Sequence, residues 1–164
     1  MTDKKQMDDF MSKYYALAKK CKRENRLIFN HLCIRVEDIE MAEEMMAEAF
    51  GLTDFIRPGG DLFEGEKDLS VTWLNDEVYM ELMQTEEKQK IGYDTGSAQP
   101  IGHLSEIGFF TPDLDRELER LGKLGWNVTT SVETHGGRMC KIDTDKPSGF
   151  PVELIDIDIN SLDD

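Results

Sequence analysis

Basic residues are scarce in this chain of 164 residues: nineteen Lys and Arg stand against thirty-four Asp and Glu, a formal net charge of −15. So acidic a surface repels phosphate backbones and anionic lipid, which excludes a nucleic-acid partner and argues against a membrane one. Anionic substrates would need a local cationic pocket. Nowhere do eighteen apolar residues run together, and the opening MTDKKQMDDF has no apolar signal segment, so a soluble cytoplasmic protein is expected. Cys21, Cys33 and Cys140 are too few, and odd in number, for a disulfide framework, in keeping with a reducing compartment. Pro58-Gly59-Gly60 lacks phosphate-loop spacing and reads as a plain turn. Histidine is equally sparse: there are three.

An apolar fraction of 39% and eight Phe suffice for a core, and the length suits one domain. Residues 4–23 place Met7, Phe10, Met11, Tyr14, Leu17, Ala18 and Cys21 at helical spacing, which predicts an amphipathic helix packed on the main body or on a second subunit. Strand-like runs follow at 28–36, 54–57, 69–74 and 78–83. After the first run, Glu37-Asp38 starts a helix with Ile39, Ala42, Met45, Met46 and Ala49 as its apolar stripe and Gly51 as its stop. After a polar stretch the order returns: strand 101–110, a helix from Asp113 to Leu124 ended by Gly125, then strands at 126–132, 139–142 and 151–157. The expected organisation is an N-terminal helix (1–27), a βαβββ module (28–84), a linker (85–99) and a second βαβββ module (100–164).

The scarce histidines repeat with this order. His31 and His103, each near the start of an apolar run, are 72 residues apart, as are Glu81 and Glu153. Strand alternation turns Cys33 and Arg35 to the side of His31, Tyr79 and Met83 to that of Glu81, Ser105 and Ile107 to that of His103, and Pro151 and Ile155 to that of Glu153. Two carboxylates facing an apolar interior are costly to ionise, and a divalent cation removes that cost. Imidazole and carboxylate suit Ni, Zn, Co, Mn or Fe, with positions left for water or substrate. Arg35 points into the same cavity and could hold a substrate carboxylate, with an ion pair to one of its many acidic neighbours as the alternative. Cys33 reads as a small buried hydrophobe. His135, in THGGR, reads as a turn residue, with contact to substrate as the alternative.

The stretches HLCIRVEDIEMAEEMMAEAFGL and SGFPVELID resemble the opening and closing segments of the vicinal oxygen chelate superfamily, the glyoxalase I, bleomycin-resistance and methylmalonyl-CoA epimerase group. The resemblance covers residues 28–157. It implies an α+β fold in which two βαβββ modules form a curved, barrel-like mixed sheet, with the N-terminal helix as an addition. It also implies one divalent metal ion held by His31, Glu81, His103 and Glu153. ETHGGRMCKIDTDKPSGFPVEL and FEGEKDLSVTWLNDEVYMEL are similar to stretches of the epimerase, and Glu64 or Glu66 would take the place of the glutamate that acts as its base. The activity implied is a metal-dependent isomerase, epimerase or lyase that moves a proton next to a carbonyl through a metal-stabilised enolate or enediolate. Glu153, Glu81 and Glu64 are the candidate bases, the substrate is a small carbonyl or thioester compound, and the assembly is a homodimer. The alternatives are a non-catalytic binding or resistance protein on the same fold, or another metal reaction such as thiol addition.

Overall fold

Two antiparallel strands at the middle of one sheet organise the molecule, as the computed structural model shows for residues 4–58, 69–84, 102, 104–134, 136–144 and 151–162. The described elements are α1 (Lys4–Glu24), β1 (Ile28–Val36), α2 (Ile39–Phe50), β2 (Leu69–Trp73), β3 (Tyr79–Gln84), β4 (Leu104–Phe110), α3 (Leu114–Gly122), β5 (Trp126–Thr134), β6 (Gly137–Thr144), β7 (Val152–Ile157) and a 3-10 turn (Ile159–Leu162). Strand order is β2-β3-β1-β4-β7-β6-β5. In each half the first strand pairs in parallel with the last, β1 with β3 and β4 with β7, and the halves join through β1 and β4. The expected mixed sheet is present as one open sheet whose described edges are β2 and β5. The strand expected at 54–57 is reduced to a single bridge, Ile56 to Val71.

One face of the sheet carries α1. Its buried residues, Phe10, Tyr14, Leu17, Ala18 and Cys21, are the stripe the spacing predicts, and they pack on Ile28, Cys33, Val71, Tyr79, Phe110 and Ile155 of the same chain. Each of the large apolar side chains among them, such as Phe10 and Leu17, contributes about 1.5–3 kcal/mol when removed from water. Asn25, at φ +49°, turns the chain out of the helix.

The other face carries α3, where Leu114 is fully buried against Cys140, Ile142, Val152 and Leu154. Asp38 and Asp113 cap α2 and α3, accepting from the backbone N–H of Met41 (2.9 Å) and Arg116 (3.0 Å). Gly51, at φ +69°, ends α2 as expected, but α3 stops at Gly122, short of Leu124. α2 departs further from expectation. Of its apolar stripe only Ile39 is buried, and Met45 is 63% exposed. Helical periodicity marks a face fit for burial; it does not say whether a partner surface reaches it. No described helix is long and apolar enough to cross a membrane.

Candidate metal centre

The register of β1 against β4 shifts by one residue around Asn30. This bulge lets Ile28 and His31, three apart, both serve the α1 side. It also sets Asn30 beside the histidine it orients: His31 Nδ1 lies 3.0 Å from Asn30 Oδ1. An amide oxygen only accepts, so Nδ1 carries the hydrogen and Nε2 keeps its lone pair. His31 is wholly buried, and Nε2 has no hydrogen-bond partner among the described residues. Burial, with a smaller contribution from the Lys141 charge, pushes the imidazole down to about 3, so the ring is neutral near pH 7.

Gly108 explains where that ring can go. His31 pairs with Gly108, and Gly108 with Glu153 on the next strand. A Cβ at 108 would sit 1.9 Å from His31 Cε1 and 2.2 Å from Nδ1. The imidazole therefore lies over a bare α-carbon and reaches across β4. Nε2 is 3.3 Å from Glu153 Oε2 and 3.9 Å from Glu81 Oε2, and both carboxylates are buried. Two of the other expected ligands, Glu153 and Glu81, thus lie beside His31, but the donor atoms of the three do not converge on one point.

β4 adds a carboxylate that sequence reasoning missed. Glu106 pairs with Cys33 and is 4% exposed, and its Oε2 accepts Lys141 Nζ at 3.0 Å. One donor atom each of His31, Glu106 and Glu153 lie within 4.8 Å of one another, and so do those of Cys33, Glu81 and Glu106. A signal for it existed: His31 and Glu106 each stand seven residues ahead of a helix-capping aspartate. Ile107, expected on the site side, does not face it. It packs in the α3 cluster, because β4 turns Glu106, Gly108 and Phe110 toward α1 instead. A second register shift, between Cys33 and Ile34, interrupts the pairing just ahead of Glu106. Arg35 is buried one step beyond Cys33 on β1, in register with Met83. Glu64, Glu66, His103 and His135 lie outside the described residues.

α1 closes this face. Tyr79 stacks on His31 at 5.1 Å, with Phe10 (5.3 Å) and Tyr14 (6.1 Å) of α1 above it. Burial first, then the nearby Glu153 and Glu81 charges, hold the Tyr14 phenol well above its usual range; burial and Glu81 do the same for Tyr79. Both stay neutral. An orphaned, neutral imidazole nitrogen among convergent buried carboxylates fits a divalent cation in the chemistry of its donors.

The comparisons with known proteins agree with the fold. A methylmalonyl-CoA epimerase from Mycobacterium tuberculosis superposes with a TM-score of 0.53 at 20% identity, over 77% of this chain and 85% of the other. A hypothetical protein from Bacillus halodurans C-125 gives 0.55 at 12%, over 79% and 93%. A methylmalonyl-CoA epimerase solved with methylmalonyl-CoA and ammonium gives 0.50 at 18%, over 78% and 92%. A search of curated protein sequences finds no match. The family model of the glyoxalase, bleomycin resistance protein and dioxygenase superfamily matches residues 30–142, a span that begins one residue before His31 and includes Glu81 and Glu106. By that match, and with two βαβ-type halves joined around a shared centre, this chain belongs to the glyoxalase/bleomycin resistance protein/dioxygenase superfamily.

Proposed function

We propose that this chain is a metal-dependent enzyme of the glyoxalase and epimerase type, which moves a proton on a carbon next to a carbonyl. The observation that carries the reading is the buried, unpartnered His31 Nε2 facing Glu81 and Glu153. These three would hold one divalent ion, with Ni, Zn, Co, Mn and Fe as the candidates. Such an ion, when bound, supplies Lewis acidity that makes the C–H beside a carbonyl easier to ionise.

The chain's own residues do the rest. Asn30 fixes the imidazole tautomer through Nδ1. Glu153 or Glu81 takes the proton from carbon and returns it, with Glu64 as the third candidate for that role. The Tyr14 and Tyr79 hydroxyls remain protonated and can donate to developing negative charge. Arg35 receives a substrate carboxylate. α1 excludes water from the centre and must shift from above Tyr79 to admit a substrate. The substrate class is a small carbonyl or thioester compound, and the working assembly is a homodimer.

The test is α-proton exchange in D2O, followed by NMR, with methylmalonyl-CoA and a glutathione hemithioacetal and with Ni2+, Co2+, Zn2+ and Mn2+ in turn. Exchange that falls by about a hundredfold in Glu153→Gln or Glu81→Gln supports the proposal. Exchange unaltered in both variants sinks it. A second reading, a non-catalytic module sealed by α1, is favoured by the complete burial of His31. A stoichiometric ion with no exchange on any compound would identify it.

A further inference from the structure

The first half gives the proposed ion one imidazole and one carboxylate, His31 and Glu81, but the second gives it only a carboxylate, Glu153. We infer that Glu106 is the second half's other ligand, so that the ion is held by one imidazole and three carboxylates: His31, Glu81, Glu106 and Glu153. The inference rests on the reading that an ion binds here at all.

The frame of the fold supports it first. His31 stands seven residues ahead of the α2 cap Asp38, and Glu106 seven ahead of the α3 cap Asp113. The last strand of each half reaches the same helix start. Ile39 N–H donates to Gln84 Oε1 and Leu114 N–H to Asp156 Oδ2, both at 2.9 Å, from positions three beyond Glu81 and Glu153. First strand and helix therefore repeat at 75 residues, whereas the last strands repeat at 72. Counting from the glutamates leads to position 103. Counting along the strand that carries the side chain leads to 106. Sheet register agrees: Glu81 lies opposite Cys33 and Glu153 opposite Gly108, each two residues past the position in question.

Reach and charge support it next. Glu106 is the residue common to both groups of converging donor atoms, one containing His31 and Glu153, the other Cys33 and Glu81. The unpartnered Nε2 of His31 faces the same space. Lys141 holds Glu106 at 3.0 Å and sits opposite Glu153 on β6. Among the described residues, Lys141 and the Arg35 guanidinium further along β1 are the buried or nearly buried cations beside the three carboxylates, and a divalent cation would add to the positive charge there. An oxygen-rich set of this kind is harder than one with two imidazoles, so it narrows the advantage of zinc over manganese.

The experiment is isothermal titration of the full chain with Mn2+ and Zn2+, with folding followed by circular dichroism. The wild type should take one ion per chain. Glu106→Gln should weaken Mn2+ binding by about tenfold or more, while His103→Ala stays within about twofold of the wild type. Glu106→His should keep one ion and raise the zinc-to-manganese affinity ratio by about tenfold. A chain that loses its ion with His103→Ala and keeps it with Glu106→Gln overturns the assignment. If Glu106→Gln does not fold, Glu106→His decides, and an unchanged metal ratio overturns it. A wild type that binds neither ion overturns the metal reading itself, which separates the two failures.

Discussion

The two halves share a frame and differ at nearly every position where they meet. His31 in the first corresponds to Glu106 in the second, and Cys33 to Gly108, by distance from the helix caps. The two cross-strand pairs at the join, His31 with Gly108 and Cys33 with Glu106, are therefore images of one another. A large ring needs a bare α-carbon opposite it; a carboxylate tolerates a thiol. The outer layers diverge too: α3 buries Leu114 completely, whereas α2 leaves Met41, Met45 and Phe50 exposed. Repeating a backbone frame does not repeat a site, because each side chain at the join is selected against the one across the sheet.

The comparison breaks most visibly under α1, which belongs to neither half. Tyr14 touches Tyr79 of the first and Phe110 of the second, so Tyr14→Ala should cost about 3–5 kcal/mol in urea unfolding. A loss below about 1 kcal/mol would mean that α1 is not seated on this face. Next comes the join. Gly108→Ala drives a Cβ into the His31 ring and should cost about 1–3 kcal/mol and abolish ion binding, while Cys33→Ala costs on the order of 1 kcal/mol. Equal effects on ion binding would erase the asymmetry.

The caps test the shared frame with a smaller effect. Asp38→Ala and Asp113→Ala should each cost about 1 kcal/mol in thermal melts. The smallest effect falls on α2: Met45→Ala should stay within about 0.5 kcal/mol, since its side chain is mostly in water. A larger loss would show a partner covering that helix in solution.

Much of this was legible in the chain. Spacing located α1 to within a residue, because five side chains on one helical face need a common apolar surface. Asp38 and Gly51 marked α2 because a carboxylate and a left-handed glycine satisfy its loose ends. His31, Glu81 and Glu153 were identifiable as scarce or repeated residues in strand settings, and the structure sets Glu153 and Glu81 at 3.3 and 3.9 Å from His31 Nε2. Glu106 was hidden among many acidic residues, and no count from the glutamates could reach it, since the three-residue difference between the halves lies between the helices and the last strands.

Local chemistry along the chain determined the order of elements, the capping of the helices and which faces could be buried, because those depend on neighbours within a few residues. Only the tertiary structure decided that β1 slips one residue at Asn30, that Gly108 leaves room for an imidazole, and that α1 rather than solvent covers the centre. Those outcomes depend on the register and packing of strands far apart in sequence, and a one-residue slip there turns a different side chain toward the centre.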